Sequence, residues 1–208
     1  MSKESVESTD EGGGHDASPT AHFDGAPRSM RADAQRNRRR ILAAAREMLS
    51  IGTSSSTADI CARADVGAGT LYRHFGSRTE LMAAVHSEDV DALFHRADEL
   101  TSSQPPWAAL EQWVNEYLAY CQDNWRFLSD LHHQLQREPA LNELLARRTE
   151  ALFERAMAPA KEAQLVDEGL AGADLALLIG GMVLVPGSVD VERNQYRLKL
   201  ILRGIQRR

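Results

Sequence analysis

An all-α fold is predicted by three features of the sequence. From about Asp33 to Ile205, apolar residues recur at intervals of three and four, which lines one face of a helix. No stretch alternates apolar and polar residues as a half-buried strand would, and no segment repeats. The breaks between periodic stretches fall at Gly, Ser and Pro, several of them in helix-capping patterns. The expected organisation is a disordered tail over residues 1–30, a three-helix unit over 31–78, and a larger helical body over 79–208.

The tail is rich in Gly, Ser, Asp and Pro, and buries too little apolar surface to offset the entropy of ordering it. His15 and His22 within it are isolated and read as solvated. The stretch Met1-Ser2-Lys3-Glu4-Ser5-Val6-Glu7 is acidic and lacks the apolar core of a secretory signal. No apolar run approaches the roughly 20 residues of a membrane span. Cys61 and Cys121 are too few for a disulfide framework, so a cytoplasmic, reducing location is expected, with no membrane partner.

The net charge of -6 is unevenly distributed. Residues 1–27 carry one Lys against six acids, residues 28–78 carry ten Arg against four acids, and the remainder carries thirteen basic against twenty acidic groups. A compact basic segment beside an acidic body is the electrostatic footprint of a nucleic-acid-binding module joined to something else.

In the basic segment, Ile41, Leu42, Ala45, Met48 and Leu49 form one buried stripe, preceded by Arg36, Arg38, Arg39 and Arg40. Gly52 is expected to end this first helix. Ser56-Thr57-Ala58-Asp59 matches a capping box that opens a second helix, with Ile60, Ala64 and Val66 inward and Cys61 as a small packed residue. Val66-Gly67-Ala68-Gly69 makes a turn into a third helix, about Ala68 to Phe75. There Leu71 and Phe75 are spaced for burial, leaving Thr70, Tyr72, Arg73 and His74 toward a groove. Gly76 closes it. Ser77-Arg78-Thr79-Glu80 is a second capping box, opening a long helix that carries Leu81, Met82, Val85, Leu93, Phe94, Ala97 and Leu100.

The stretches Arg40-Ile41-Leu42-Ala43-Ala44-Ala45, Ala58-Asp59-Ile60-Cys61-Ala62-Arg63-Ala64 and Val66 through Phe75 resemble the N-terminal helix-turn-helix domain of TetR-family transcriptional regulators. The resemblance is carried by Arg38–Leu81. Three departures accompany it: a short segment between Leu49 and Ala58, Thr57 in place of an aliphatic residue, and Gly67-Ala68 where the family has a hydroxyl cap and a longer polar residue. The last shifts base contact from position 68 to the Gly69 backbone, Thr70 and Tyr72. The expected DNA-binding set is Arg38, Ser56, Gly69, Thr70, Tyr72, Arg73, His74 and Arg78. Thr70 is the expected base reader, with Arg73 either pairing with guanine or making an intramolecular salt bridge. Arg38, Ser56, Tyr72, His74 and Arg78 are expected to hold the phosphates of a double-stranded operator, Tyr72 having a core position as its alternative.

Beyond Leu100 the helical pattern continues. Ser102-Ser103-Gln104-Pro105-Pro106 is a linker suited to a helix start, Asn124 is a break, Pro139 opens another helix and Pro159 is expected to kink or end it. The apolar segment Leu175–Val185 stops at Pro186-Gly187, and a last helix starts near Asp190. What the family resemblance implies for this body is a homodimer interface and a small-molecule effector pocket. The implied dimer residues are Leu175, Leu178, Met182 and Val185 with Leu198, Ile201, Leu202 and Ile205, and Gly180-Gly181 is expected to let backbones approach. The candidate pocket residues are Trp107, Trp113, Tyr117, Tyr120, Trp125, Phe127, Phe153 and Met157. Effector binding is expected to shift the long helix over Leu81–Leu100 and so the spacing of two recognition helices.

His132-His133 cannot chelate one ion together, because adjacent helical side chains point about 100° apart, and no spaced ligand set marks a metal or cofactor site. The leading reading is therefore a ligand-responsive dimeric repressor. The alternatives are a DNA-binding regulator without an inducer and, against the absence of any nucleophile elbow or phosphate-binding glycine loop, an enzyme carrying a helix-turn-helix.

Overall fold

The computed structural model describes residues 28–51, 55–184 and 190–207. Among these, the chain forms α1 (Arg28–Ile51), α2 (Thr57–Ala64), α3 (Ala68–Phe75), α4 (Arg78–Ser103), α5 (Pro106–Asp123), α6 (Trp125–Leu135), α7 (Pro139–Glu162), α8 (Gly172–Leu184) and α9 (Val191–Ile205). One isolated antiparallel bridge, Val166 to Gln206, ties the α7–α8 connection to the C-terminal end. Most of the expected tail, and the expected features at Gly52, Ser54, Val185 and Pro186-Gly187, lie outside the described residues. Arg28–Met30, assigned to the tail from composition, are helical. Met30 is exposed, so this first turn is an extension of a helix-favouring polar stretch rather than a product of burial.

Local chemistry accounts for most of the boundaries. Ser56 caps α2 by accepting from Asp59 N–H at 3.1 Å, while Asp59 Oδ2 accepts from Ser56 N–H at 2.8 Å, completing the capping box. At α4 only half of the second box forms. Ser77 Oγ accepts from Glu80 N–H at 3.0 Å, but Ser77 N–H is already turned onto the Phe75 carbonyl at 2.6 Å. Gly76 makes that tight connection with φ 66, a left-handed conformation costly for other residues. Pro106 and Pro139 occupy first-turn positions, where no N–H partner is lost. Pro159 does not end α7 where it stands. It lies within the last turn, and the helix continues to Glu162 with Ala163 N–H reaching the Pro159 carbonyl.

Two cores share one long helix. The first gathers Ile41, Leu42, Ala45 and Leu49 of α1 with Ile60, Leu71 and Phe75, and is closed below by Leu81, Met82 and Val85 of α4. Phe127, Leu131 and Leu135 of α6 and Leu145 of α7 also enter it, so it extends past residue 78 into the body. The second core stacks Val90, Leu93, Ala97 and Leu100 of α4 against α5, α7, α8 and α9 around Trp113, Tyr117 and Phe153. Trp113 lies face-on to Tyr117 (5.5 Å) and edge-on to Phe153 (5.0 Å), and its indole N–H donates to the Leu93 carbonyl at 3.1 Å. Ion pairs Arg96–Glu116, Arg148–Asp91 and Arg155–Asp98 lace α4 to α5 and α7 on the outside.

Gly172 sets how closely α8 starts against α7. A Cβ there would stand 2.6 Å from the Glu150 carbonyl oxygen and 2.8 Å from Glu154 N, both fixed backbone atoms. Gly172→Ala should therefore lower unfolding stability by about 1–3 kcal/mol in a denaturant titration. Gly69→Ala, facing open space inside α3, should leave stability unchanged or raise it by up to about 1 kcal/mol.

Candidate nucleic-acid interface and cavity

The outward face of α3 follows from which of its side chains the core takes. Leu71 and Phe75 are buried, one helical turn apart, and this pins the opposite face to solvent. Gly69, Tyr72 and Arg73 are exposed there, with Thr70 and His74 half-buried at its edges. Tyr72 is 47% exposed, and its hydroxyl has no partner among the described residues. Arg73 Nη2 donates to Thr70 Oγ1 at 3.4 Å, bringing these two together on one edge. His74 leans on the Phe75 ring. Gly67 caps α3 without a side-chain bond, leaving the leading amides of the helix unoccupied by side chains.

Charges around this face sort into used and available. Arg40 pairs with Asp65, at the left-handed end of α2; Arg36 pairs with Asp33, Arg63 with Glu47, and Arg46 with Glu88 and Asp89. Arg31, Arg38, Arg39 and Arg73 have no acidic partner among the described residues. Arg38 lies over the Phe75 ring, 5.1 Å from its centroid, beside α3. Arg31 and Arg39 were not among the expected contacts; the signal for them was the run of Arg in α1 with only Asp33 nearby to neutralise it. Two expected phosphate holders are already engaged within the chain. Arg78 Nη1 donates to the Ser55 carbonyl at 2.7 Å and Ser56 Oγ is held in its capping box.

A second feature lies in the body. A cavity of about 760 Å³ opens between α6, α7 and α8 and reaches α4 and α5, within the roughly 300–1,000 Å³ usual for small-molecule sites. Its walls are mainly Leu128, Leu131 and Leu135 of α6, Leu145 of α7, and Ala176 and Val183 of α8. Of the eight aromatic and Met candidates, only Tyr117 lines it. Trp113, Phe153 and Met157 are fully packed in the second core, Phe127 belongs to the first core, and Trp107, Tyr120 and Trp125 pack against the second core from its margin. Their helical spacing marked them as inward-facing, and inward here means core. Gly180 and Gly181 line the cavity with open space in front of them, rather than allowing a close backbone approach within the chain.

The polar groups on the cavity wall near the core are uncharged. Burial raises the Tyr117 phenol well above its ordinary range and pushes the Cys121 thiol up to about 12. His86, the one α4 residue in the wall, retains some accessible surface, yet is enclosed enough that burial outweighs the attraction of Asp89 and lowers its pKa. Glu143, Arg147 and Glu150 stand exposed at the edge, with Arg147 paired to Glu143. No group of three or more His, Cys, Asp or Glu residues is placed to hold a metal among the described residues.

The expected dimer residues divide. Leu175, Leu198 and Leu202 are buried in the second core, while Met182, Ile201 and Ile205 are half-buried against it. Leu178 is exposed, and Val185 lies outside the described residues. The exposed apolar groups of these two helices are Leu177 and Leu178 on α8 and Val191, Tyr196 and Leu200 on α9, each about half exposed or more.

The sequence profile of the bacterial regulatory proteins of the tetR family matches residues 41–85, the segment that holds α2, α3 and the stripes of α1 and α4 packed on them. That segment is a TetR-family domain. HTH-type transcriptional regulator SAR0097 of Staphylococcus aureus (strain MRSA252) is 36% identical over 83 residues, covering 38% of this chain and 44% of that protein. The match thus spans less than half of that curated relative's length. Over most of the chain the fold is shared with solved structures, among them TetR-family regulators. SCO0520 of Streptomyces coelicolor superposes with a TM-score of 0.54 at 24% identity, covering 81% of this chain and 98% of that one. ECA1819 of Pectobacterium atrosepticum does so with a TM-score of 0.58 at 24% identity, covering 86% and 98%. GusR of Salmonella enterica gives 0.61 at 22%, covering 81% and 94%. The family is one of bacterial regulatory proteins, and SAR0097 is a transcriptional regulator.

The internal engagement of Arg78 separates it from Tyr72. Arg78→Ala should cost about 1–2 kcal/mol of stability, while Tyr72→Phe should change it by less than about 0.5 kcal/mol, measured by urea unfolding.

Proposed function

We propose that this protein is a dimeric transcriptional repressor that holds a palindromic operator with two copies of α3 and leaves it when a small molecule fills the cavity. The observation that carries the reading is the continuity of α4. One helix both closes the core that presents Tyr72, Arg73 and Thr70 outward and contributes His86 to the cavity wall. A ligand that favours one position of α4 over another would bias the DNA-reading face through an unbroken element, which is the differential affinity any such switch requires.

In this reading, Arg38 and Tyr72 hold phosphates, joined by Arg31 and Arg39, and Thr70 with Arg73 reads base edges. Ser56 and Arg78 act chiefly by fixing the α2 and α4 starts, and Gly69 allows α3 to approach the backbone. His74 borders the same face. Pairing two protomers through the exposed face of α8 and α9 places the two recognition helices in successive major grooves, about 34–36 Å apart.

The reading is tested by selecting bound fragments of source DNA, footprinting them, and titrating the protein on the recovered operator. Arg38→Ala and Tyr72→Phe should weaken binding by about fivefold to tenfold on operator and unrelated DNA alike, with Arg38→Ala also reducing the salt slope by about one. Thr70→Val should instead change the ranking of operator variants. Equal loss on operator and random DNA for Thr70→Val would remove it as a base reader.

Pairing is checked separately by sedimentation at micromolar concentration. The wild-type protein should run as a dimer, and Leu178→Glu with Leu200→Glu as a monomer. A monomeric wild type contradicts the pairing.

A further inference from the structure

His86 sits at the end of a hydrogen-bonded line that leaves the cavity and ends on α1. The Tyr120 hydroxyl is 3.2 Å from His86 Nδ1 and 3.3 Å from Asp89 Oδ2. A carboxylate only accepts, so the single hydroxyl hydrogen of Tyr120 goes to Asp89. The same oxygen must then accept from His86, which places the imidazole hydrogen on Nδ1. With the ring held neutral by burial, Nε2 carries a bare lone pair, and it has no partner among the described residues. On the far side, Asp89 Oδ1 accepts from Arg46 Nη2 at 2.7 Å and Nε at 3.2 Å. Arg46 also donates to Glu88 and to the Val85 carbonyl, and it stands on α1 between Ala45 and Leu49, which are both in the first core.

The rest of the cavity restricts what can meet that nitrogen. Much of its wall is leucine, alanine and valine, and the neutral Tyr117 and Cys121 offer no counter-charge; the polar and charged lining groups His132, Asn142, Glu143, Arg147, Thr149 and Glu150 are exposed or half-buried. A charged ligand group against the leucine wall would be desolvated without compensation, and Arg147 at the edge is already paired with Glu143. A carboxylate or ether oxygen would face Nε2 lone pair to lone pair. A hydroxyl satisfies it.

We propose that the cavity binds a neutral, largely apolar molecule carrying one hydrogen-bond donor, of the alcohol or phenol class, which donates to His86 Nε2, and that His86, Tyr120, Asp89 and Arg46 form the line through which its presence reaches α1. This rests on the reading above that the cavity takes an effector. A donor arriving at Nε2 polarises Nδ1–H and strengthens the bond to Tyr120, because hydrogen bonds in series reinforce one another. The polar line therefore differs between the occupied and the empty cavity at the Arg46–Asp89 pair, where the body grips the DNA-reading unit.

The test uses the full chain and three matched probes, 4-hexylphenol, its methyl ether and 4-hexylbenzoate, each titrated calorimetrically. The phenol should bind about tenfold tighter than the ether, with the benzoate weakest. His86→Phe should keep apolar binding but bring phenol and ether to within about twofold of each other. Tyr120→Phe, which leaves His86 in place, should reduce the difference in phenol affinity between free and operator-bound protein. Thermal melts of both variants confirm folding.

Equal binding of phenol and ether to the wild type, tighter binding of the benzoate, or no binding of any probe overturns the ligand class. A phenol preference that survives His86→Phe overturns the role of His86. An unchanged affinity difference in Tyr120→Phe overturns the line to α1. If the phenol binds through His86 but operator affinity does not move, the site stands and ligand-driven release falls. If no probe binds while operator footprints are intact, DNA reading stands without this site.

Discussion

Helix α4 is the constraint on which the rest of the molecule depends. Its 26 residues form one uninterrupted rod about 39 Å long. Leu81, Met82 and Val85 lock its first turns into the core under α3, and Val90, Leu93, Ala97 and Leu100 lock the remainder into the body. A sharp kink would break backbone hydrogen bonds, and α4 contains no Pro or Gly at which a helix readily kinks. The two cores therefore cannot reorient independently along this axis. Motion of the body that rotates or shifts α4 is carried to the recognition face, and the Arg46–Asp89 pair adds a lateral grip from α1.

The basic segment shows why charge counts alone overstate a binding surface. Four of its arginines are consumed by neighbouring acids, and Arg78 serves the Ser55 carbonyl. What remains for an anionic partner is a smaller set along α1 and α3, together with the leading amides of α3 left open by Gly67. Exposed ion pairs of this kind contribute little stability singly. Arg46 is less exposed on its Asp89 side, and there it links elements 43 residues apart in sequence.

The helices, the Ser56 capping box, the left-handed Gly76 and the burial of Leu71 and Phe75 were all legible from spacing and capping chemistry, because those signals are local. The outward placement of Tyr72 followed from the same spacing. What was not legible is how inward-facing residues divide between core and cavity. Trp113 and Phe153 have the same periodic signature as a pocket wall would, and only the packing of five helices shows that they fill the space instead. The cavity is made by leucines, alanines and paired glycines, which carry no distinguishing pattern. His86 lies in a polar stretch of α4, and its significance depends on Tyr120, 34 positions away. The inward turn of Leu175 has the same cause, because α8 is apolar on nearly all sides and does not announce which side its own core claims, whereas Leu198 and Leu202 share the inward face of an amphipathic α9.

The entry of Phe127, Leu131 and Leu135 into the first core has a consequence for how such a protein can be recombined. A graft that cuts after residue 78 and attaches the three-helix unit to a foreign body would leave the floor of that unit unfilled and expose its leucines to water. The exchangeable module is discontinuous. It comprises the N-terminal helices, the opening turns of α4 and the apolar edge of α6, so a foreign body must arrive with a matching α6 surface already in place.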